Sequence, residues 1–177
     1  DIVAGLLFPN QGSVFIDNIK LDNSNVSSWM PNLAYVPQNI YLSDESILEN
    51  IAIGASAESI DLVLAQQSLE HASLDKFIDS LPNGVHTKVG ERGVKLSGGQ
   101  KQRIGIARAI YKKASLIIFD EATSALDGST ENAVMEAIDS LDSSITMLII
   151  AHRTSTLKNC NKIIELKNGT VNLVSKT

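Results

Sequence analysis

Residues 96–103 read LSGGQKQR, and residues 115–127 read SLIIFDEATSALD. In the first stretch, Ser97 precedes two glycines and a run with helical apolar spacing, which predicts a helix that begins at the serine. The unpaired amides and the dipole at a helix start bind anions, and glycines let the backbone approach phosphate closely. Taken alone, the Ser-Gly-Gly sequence fits either a phosphate site or a plain helix cap.

The second stretch places two carboxylates directly after an apolar run. Residues 116–119 are all apolar and are followed by Asp120 and Glu121, which predicts a strand that is buried on both faces. Mg²⁺ prefers one or two carboxylates together with phosphates and waters. A neighbouring glutamate can orient or deprotonate an attacking water. We therefore predict a metal role for Asp120 and a catalytic role for Glu121; an acidic pair that only caps the next loop is the alternative.

Two more polar side chains follow predicted strands. His152 comes after the apolar run 145–151, which predicts another buried strand, and Gln38 comes just after a short apolar strand over 33–36. Open α/β sheets bind ligands at the carboxyl ends of their strands. A neutral imidazole at such a place can donate to a transferring phosphoryl group, and the Gln38 amide could hold a metal-bound water.

The remaining pattern predicts an α/β protein, because buried strands alternate with helices as in a parallel sheet covered on both faces. Apolar residues recur every three or four positions over 46–81, which predicts two or three short helices. We also expect helices over 1–7 and 129–141, a half-buried strand over 13–17, and a terminal hairpin around the Asn-Gly pair at 168–169.

Composition restricts the class of protein. A chain of 177 residues with 44% hydrophobic and 20% charged residues is typical of one soluble globular domain. The net charge of −5 argues against a nucleic-acid partner. The single cysteine, Cys160, excludes an internal disulfide and fits a reducing compartment. The longest apolar run is far too short to span a bilayer, and no signal peptide is visible.

Together these motifs resemble the nucleotide-binding domain of ATP-binding cassette (ABC) proteins, over essentially the whole chain. Residues 96–103 are similar to the signature motif of that family, and residues 116–121 to Walker B with its catalytic glutamate. Residues 124–127 resemble the D-loop, Gln38 the Q-loop and His152 the switch histidine.

Three further stretches resemble exporters of this family. The sequence KVGERG at 88–93 is similar to the segment that exporters place against their membrane domain. The sequences YVPQ at 35–38 and SILENI at 46–51 match exporters better than importers. The resemblance therefore implies an exporter that couples ATP hydrolysis to transmembrane transport, located at the cytoplasmic face of the inner membrane.

The fold implied by the resemblance is a P-loop NTPase (RecA-like) α/β core with a mainly parallel sheet and a helical subdomain. Residues 1–37 and 112–177 would form part of the core, and residues 38–111 the Q-loop, the helical subdomain and the signature helix. No G-x-x-x-x-G-K-[ST] motif (Walker A) occurs in the sequence. We therefore expect a fragment of a longer polypeptide that lacks the amino-terminal part of the core and is inactive alone.

The resemblance also implies the cofactors ATP and Mg²⁺ and a role for each motif residue. The residues implied to bind the chain's own ATP are Gln38, Asp120, Glu121 and His152. Among these, Glu121 and His152 would be catalytic, and Gln38 and Asp120 would hold Mg²⁺ through water. The residues implied to bind a partner's ATP are Ser97, Gly98, Gly99, Gln100 and Asp127.

Two partners are implied: a second nucleotide-binding domain, packed head to tail, and a transmembrane domain contacted near Gln38 and from Gly90 to Gly93. A soluble, non-transport ABC ATPase is an alternative, which the exporter-like residues disfavour. A non-catalytic cassette used for dimerisation is a second alternative, which the presence of Glu121 and His152 disfavours.

Overall fold

The computed structural model describes residues 1–124 and 126–174. The strands are β1 (Phe15–Ile16), β2 (Ile19–Lys20), β3 (Leu33–Val36), β4 (Leu116–Asp120), β5 (Thr146–Ile150), β6 (Ile163–Lys167) and β7 (Thr170–Val174). The α-helices are α1 (Val26–Trp29), α2 (Ile47–Ile51), α3 (Leu62–His71), α4 (Asp75–Asp79), α5 (Gly98–Tyr111) and α6 (Gly128–Asp139). Short 3-10 turns join several of them, among them Glu91–Gly93 and Thr154–Leu157.

A parallel sheet with strand order β3–β4–β5 positions the candidate site. Its central strand β4 is buried from Leu116 to Phe119, as the apolar run predicts. The register places Val36 beside Phe119, and Asp120 beside Ile150. Because the three strands run in the same direction and end nearly level, the residues that follow them meet at one edge of the sheet.

Strand β5 differs from the sequence prediction of a buried strand over 145–151. Four of its five residues are exposed, and Ile149 is half-buried. The strand order makes β5 an outer strand within the described part of the chain, so much of its surface stays uncovered. A continuous apolar run does not by itself distinguish a central strand from an outer one.

Two apolar clusters hold the helices and the sheet together, a large one and a smaller one of Ala4, Leu33, Leu116 and Ile118 against which Trp29 of α1 packs. Helix α5 begins where the sequence predicts, and its residues Ile104 and Ala107 are fully buried. Three α-helices lie within 46–81, as expected. The largest members of the large cluster are Leu42, Ile47, Ile51, Leu69, Leu74, Ile104, Ile106, Ile117, Phe119 and Ile138. Among the described residues, no helix has both the length and the apolar character that crossing a membrane requires.

A half-buried arginine, Arg108, ties helix α5 to the segment that follows β3. The Arg108 guanidinium donates to the backbone oxygen of Tyr41 at 2.7 Å, and to the side-chain oxygen of Asn50 at 3.0 Å. It also donates to the backbone oxygen of Asn50. Burial lowers the pKa of Arg108. These contacts fix the start of the helical region relative to the helix that carries the LSGGQ residues.

The amino-terminal segment corrects another prediction. Residues 1–7 form turns and no α-helix, with Gly5 in the left-handed region at φ 74° and its amide bonded to the oxygen of Ile2 at 3.1 Å. A right-handed helix requires a negative φ at every residue, so the left-handed Gly5 interrupts the run that was expected to be helical. The strand expected over 13–17 is reduced to the two residues of β1, which pair with β2.

The carboxyl-terminal prediction is confirmed. Strands β6 and β7 form an antiparallel hairpin, with Lys167 beside Thr170. Asn168 and Gly169 between them have φ values of 51° and 74°, as a two-residue hairpin turn requires. The helix expected over 129–141 is α6, which begins one residue earlier and ends two residues earlier than predicted.

Candidate functional site

The strand ends bring three predicted site residues together. Asp120 is the last residue of β4, and Glu121 follows it with φ 51°, a conformation uncommon for residues other than glycine. The amide of Glu121 donates to the oxygen of Ile150 at 2.9 Å, which holds this turn against the end of β5. Strained backbone of this kind is concentrated at functional sites.

Glu121 and His152 are in direct contact. Nε2 of His152 lies 2.8 Å from Oε1 of Glu121, a distance at which an imidazole N–H donates to the carboxylate. The His152 side chain is 83% exposed and that of Glu121 is 29% exposed. The two groups predicted to be catalytic therefore share one solvent-accessible position beside Asp120.

Asp120 has a partner that the sequence reasoning missed. The hydroxyl of Tyr35 on β3 donates to Oδ2 of Asp120 at 2.6 Å. This hydrogen bond, with a smaller effect of burial, raises the pKa of Tyr35. The contact follows from the strand order, because β3 is the neighbour of β4 and Tyr35 pairs with Ile118, two residues before Asp120.

The donor set at this edge fits Mg²⁺. Asp120 supplies carboxylate oxygens and Gln38, exposed just after β3, supplies an amide oxygen. Oxygen ligands of this kind, completed by phosphates and waters, are what Mg²⁺ takes in nucleotide sites. Among the described residues, no three His, Cys, Asp or Glu side chains gather into an all-protein metal cage. Asp120 and Gln38 thus supply ligand types that suit a Mg²⁺ ion whose other ligands are phosphate and water oxygens.

The start of helix α5 is held by a capping box. The amide of Gln100 donates to Oγ of Ser97 at 3.2 Å, and the amide of Ser97 donates to Oε1 of Gln100 at 2.8 Å. A Cβ on Gly99 would lie 2.1 Å from Cγ2 of Thr130 on α6. Gly99 is therefore required for close packing of two helix starts, in addition to the phosphate role that the sequence predicts.

The start of helix α6 uses Asp127 as its cap. The Asp127 carboxylate accepts from the Thr130 amide at 3.1 Å, the Thr130 hydroxyl at 2.8 Å and the Ser129 hydroxyl at 2.7 Å. These bonds hold the pKa of Asp127 far below its usual range, and the bond from the Ser129 hydroxyl has the largest effect. The structure thus gives Asp127 a local role; its contact with a partner's ATP remains a prediction.

Gln38 and the start of α5 border the same cavity, of about 230 Å³. Its lining includes Gln38, Gly98, Lys101, Gln102 and Leu126. Nε2 of Gln102 donates to the backbone oxygen of Pro37 at 3.3 Å and also to that of Gln38, so the helix holds the Q-loop backbone. Two predicted site residues, Gln38 and Gly98, therefore line the same cavity. Ser97 and Gln100 do not line it; their side chains bond to each other's backbone amides.

The segment predicted to face a membrane domain is attached to the same helix. Residues Glu91–Gly93 form a 3-10 turn, and Nζ of Lys101 donates to the backbone oxygen of Arg92 at 3.0 Å. Gly90 has φ 76° and Gly93 is buried. The KVGERG stretch is therefore anchored to the helix that carries the LSGGQ residues.

The contacts of Glu131, on helix α6, were not anticipated from the sequence. The Glu131 carboxylate is buried and accepts from Arg153 at 2.6 Å. Thr123 and Thr156 donate to its other oxygen at 3.3 and 3.2 Å. The signal was the helical spacing, because Glu131 shares a face with buried Val134 and Ile138.

Comparison with known proteins gives the family of this chain. The family model described as "ABC transporter" matches residues 1–124. Proteins named "ATP-dependent lipid A-core flippase" are similar: that of Bordetella avium (strain 197N) is 42% identical over 93% of this chain and 28% of its own length. That of Francisella novicida is 41% identical over 96% of this chain and 28% of its own length.

The fold has a counterpart among solved structures. The structure of a bacterial Atm1-family ABC exporter with ATP bound superposes with a TM-score of 0.83 and 36% identity, over 95% of this chain and 29% of that one. The fold class expected from the sequence, a P-loop NTPase core with a parallel sheet and added helices, is thereby confirmed. The chain spans little more than a quarter of the length of the relatives that it matches, about 28%. By its family match and its fold, this chain belongs to the ABC transporter family.

Proposed function

We propose that this chain is the ATP-hydrolysing part of an ABC exporter, in which ATP hydrolysis drives transport across a membrane. The observation that carries the proposal is the 2.8 Å contact between Glu121 and His152, beside Asp120 at the ends of parallel strands. The names of the similar proteins, ATP-dependent flippases and an ABC exporter, support the transport half of the proposal.

The residues at the strand ends divide the chemistry among them. Asp120 and Gln38 would hold Mg²⁺ through water, and the metal would supply positive charge against the phosphates of ATP. Glu121 orients the attacking water and accepts its proton. The N–H at Nε2 of His152 lies against Glu121 in this structure, and the transferring phosphoryl group shares it when ATP is bound, so that both groups act on the same side of the reacting atoms.

The start of helix α5 serves a second copy in this proposal. Ser97, Gly98, Gly99 and Gln100 present a capped, 14-residue helix whose amino end favours anions. They contact the ATP held by the Asp120 site of the partner domain, with Asp127 nearby. Closure of the head-to-tail dimer on ATP and its opening after hydrolysis then favour two different states of the membrane part.

The membrane partner contacts the surface near Gln38 and between Gly90 and Gly93. Both segments are bonded to helix α5, through Gln102 and Lys101, so a displacement of the Q-loop reaches the LSGGQ residues. In this arrangement residues 1–37 and 112–177 act as the core and 38–111 as the helical region, at the cytoplasmic face of the inner membrane.

The test uses the complete exporter polypeptide, purified in lipid nanodiscs, with and without Glu121→Gln. We expect this variant to hydrolyse ATP at least about 100-fold more slowly, the range for loss of a general base, while it still binds ATP. Glu136→Gln, an exposed acidic residue on α6, is the matched control and should keep the wild-type rate. An unchanged rate in Glu121→Gln contradicts the assigned role, and a complete wild-type protein without ATPase activity contradicts the proposed function.

A further inference from the structure

The carboxylate of Glu131 joins the two segments that carry Glu121 and His152. Thr123, two residues after Glu121, donates through Oγ1 to Oε1 of Glu131 at 3.3 Å. Arg153, the residue after His152, donates through Nη1 to Oε2 at 2.6 Å. One side chain of helix α6 therefore contacts the segment after β4 and the segment after β5 at the same time.

The surroundings of Glu131 make this junction stiff. Thr156, in the turn that follows β5, donates to the same Oε1 at 3.2 Å. Glu131, Thr123 and Thr156 are all buried. A buried carboxylate that loses a partner bears an uncompensated desolvation cost, so these bonds resist separation. The side chain of Arg153 is 53% exposed, and its contribution is correspondingly weaker.

The contact between Glu121 and His152 needs such a support. Their two side chains meet at 2.8 Å, but that of His152 is 83% exposed and its segment lies between β5 and a 3-10 turn. Exposed side chains keep rotational freedom, so the contact depends on where the two backbones are held. The hydrogen bond from the Glu121 amide to the Ile150 oxygen holds one side of the turn. The Glu131 carboxylate holds the other side of the turn.

We propose that Glu131 is a positioning residue for ATP hydrolysis: its carboxylate fixes the spacing of the segments after β4 and β5, and so keeps Glu121 and His152 in contact. The inference rests on the proposed function. Glu131 acts through Thr123 and Arg153 and not on the nucleotide. A residue with this role changes the rate of the chemical step, because catalysis is sensitive to misplacements of about 1 Å.

The kinetic test compares Glu131→Ala, Glu131→Gln and Thr123→Val with wild type in the complete exporter. We expect kcat to fall by about 10-fold to 100-fold in Glu131→Ala, with the KM for ATP unchanged. Glu131→Gln keeps an oxygen that accepts from the two threonine hydroxyls, so its kcat should fall less than that of Glu131→Ala. Glu136→Gln, on the same helix but exposed, should match wild type, and rates are compared at a temperature where every variant is folded.

A structural readout that needs no turnover accompanies the rates. In crystal structures of wild type and Glu131→Ala without nucleotide, we expect the distance from Glu121 Oε1 to His152 Nε2 to change from 2.8 Å to beyond hydrogen-bond range, about 3.5 Å or more. If Glu131→Ala does not fold, Thr123→Val and Arg153→Met replace it, since each removes one hydrogen-bond donor to the carboxylate and keeps the carboxylate itself.

A lower kcat together with a lost contact supports the proposal. A kcat that falls only in proportion to the unfolded fraction, or a contact that stays at its wild-type distance, overturns it and leaves Glu131 with a purely stabilising role. If complete wild-type protein does not hydrolyse ATP, the proposed function fails, and the crystallographic comparison still decides whether Glu131 holds the two segments together.

Discussion

The start of helix α5 and the ends of strands β4 and β5 carry the two halves of the candidate site, but they are built differently. At the helix start, the side chains of Ser97 and Gln100 accept hydrogen bonds from each other's backbone amides, within four consecutive residues. At the strand ends, Glu121 meets His152 from 31 positions away. The first arrangement is encoded locally, whereas the second exists only after the sheet has formed.

This difference shows where stability and function depend on tertiary structure. The capping box would hold the helix start in almost any surroundings, because its bonds need only local backbone geometry. The strand-end contact needs the register of β4 with β5 and the bonds made by Glu131. Substitutions that disturb packing between elements should therefore lower the free energy of unfolding more than substitutions that remove a local cap.

Gly99→Val tests whether the start of helix α5 is independent of packing against other elements, as its local capping box suggests. A Cβ at Gly99 would lie 2.1 Å from Cγ2 of Thr130, so we expect a loss of about 3 kcal/mol in the free energy of unfolding, as for overpacked sites. Urea denaturation of the chain measures it. Thr130→Ser in the same chain removes Cγ2 and should restore part of the loss. Gly128→Ala, with open space around it, is the control.

Glu131→Ala tests the tertiary support of the strand ends. The change removes a buried acceptor for Arg153, Thr123 and Thr156, and we expect a loss of about 2 kcal/mol in the free energy of unfolding. Glu136→Ala on the exposed side of α6 should change stability little. Equal losses from the two substitutions would show that the buried bonds contribute nothing.

Ser97→Ala tests the local cap. Loss of the serine oxygen that accepts from the Gln100 amide should lower the free energy of unfolding by about 1 kcal/mol, less than either change above. Ser97→Asp, which keeps an accepting side chain at the cap, should restore most of it. A loss in Ser97→Ala larger than that in Glu131→Ala would reverse the comparison between the two regions.

The pH dependence of the Asp127 cap gives the smallest effect. Its hydrogen bonds with Ser129 and Thr130 keep its pKa below the value in the unfolded chain, which is about 3.9. The ionised cap therefore stabilises the fold above that pH, and the contribution is lost as the pH falls further, toward the folded-state pKa. Stability should drop less steeply in acid for Asp127→Asn than for wild type; identical acid dependence would contradict the pKa shift.

The sequence predicts most local features of this molecule, apart from the helix expected over 1–7 and the full strand expected over 13–17, and it predicts few of the tertiary ones. The helix start at Ser97, the buried strand ending at Asp120 and the hairpin turn at Asn168 and Gly169 each follow from a few neighbouring residues. The exposure of β5 does not, because the same apolar run suits a central or an outer strand. The contacts of Tyr35 and Glu131 depend on strand order and helix placement, which composition and spacing leave open.

The structure of the complete exporter polypeptide with Glu121→Gln, trapped with ATP and Mg²⁺, tests the central claim most directly. We predict that the terminal phosphate of each ATP lies within hydrogen-bond reach of His152 of one copy and of the Gly98 and Gly99 amides of the other. A dimer in which those amides lie far from any terminal phosphate, or in which His152 points away from it, would contradict the account.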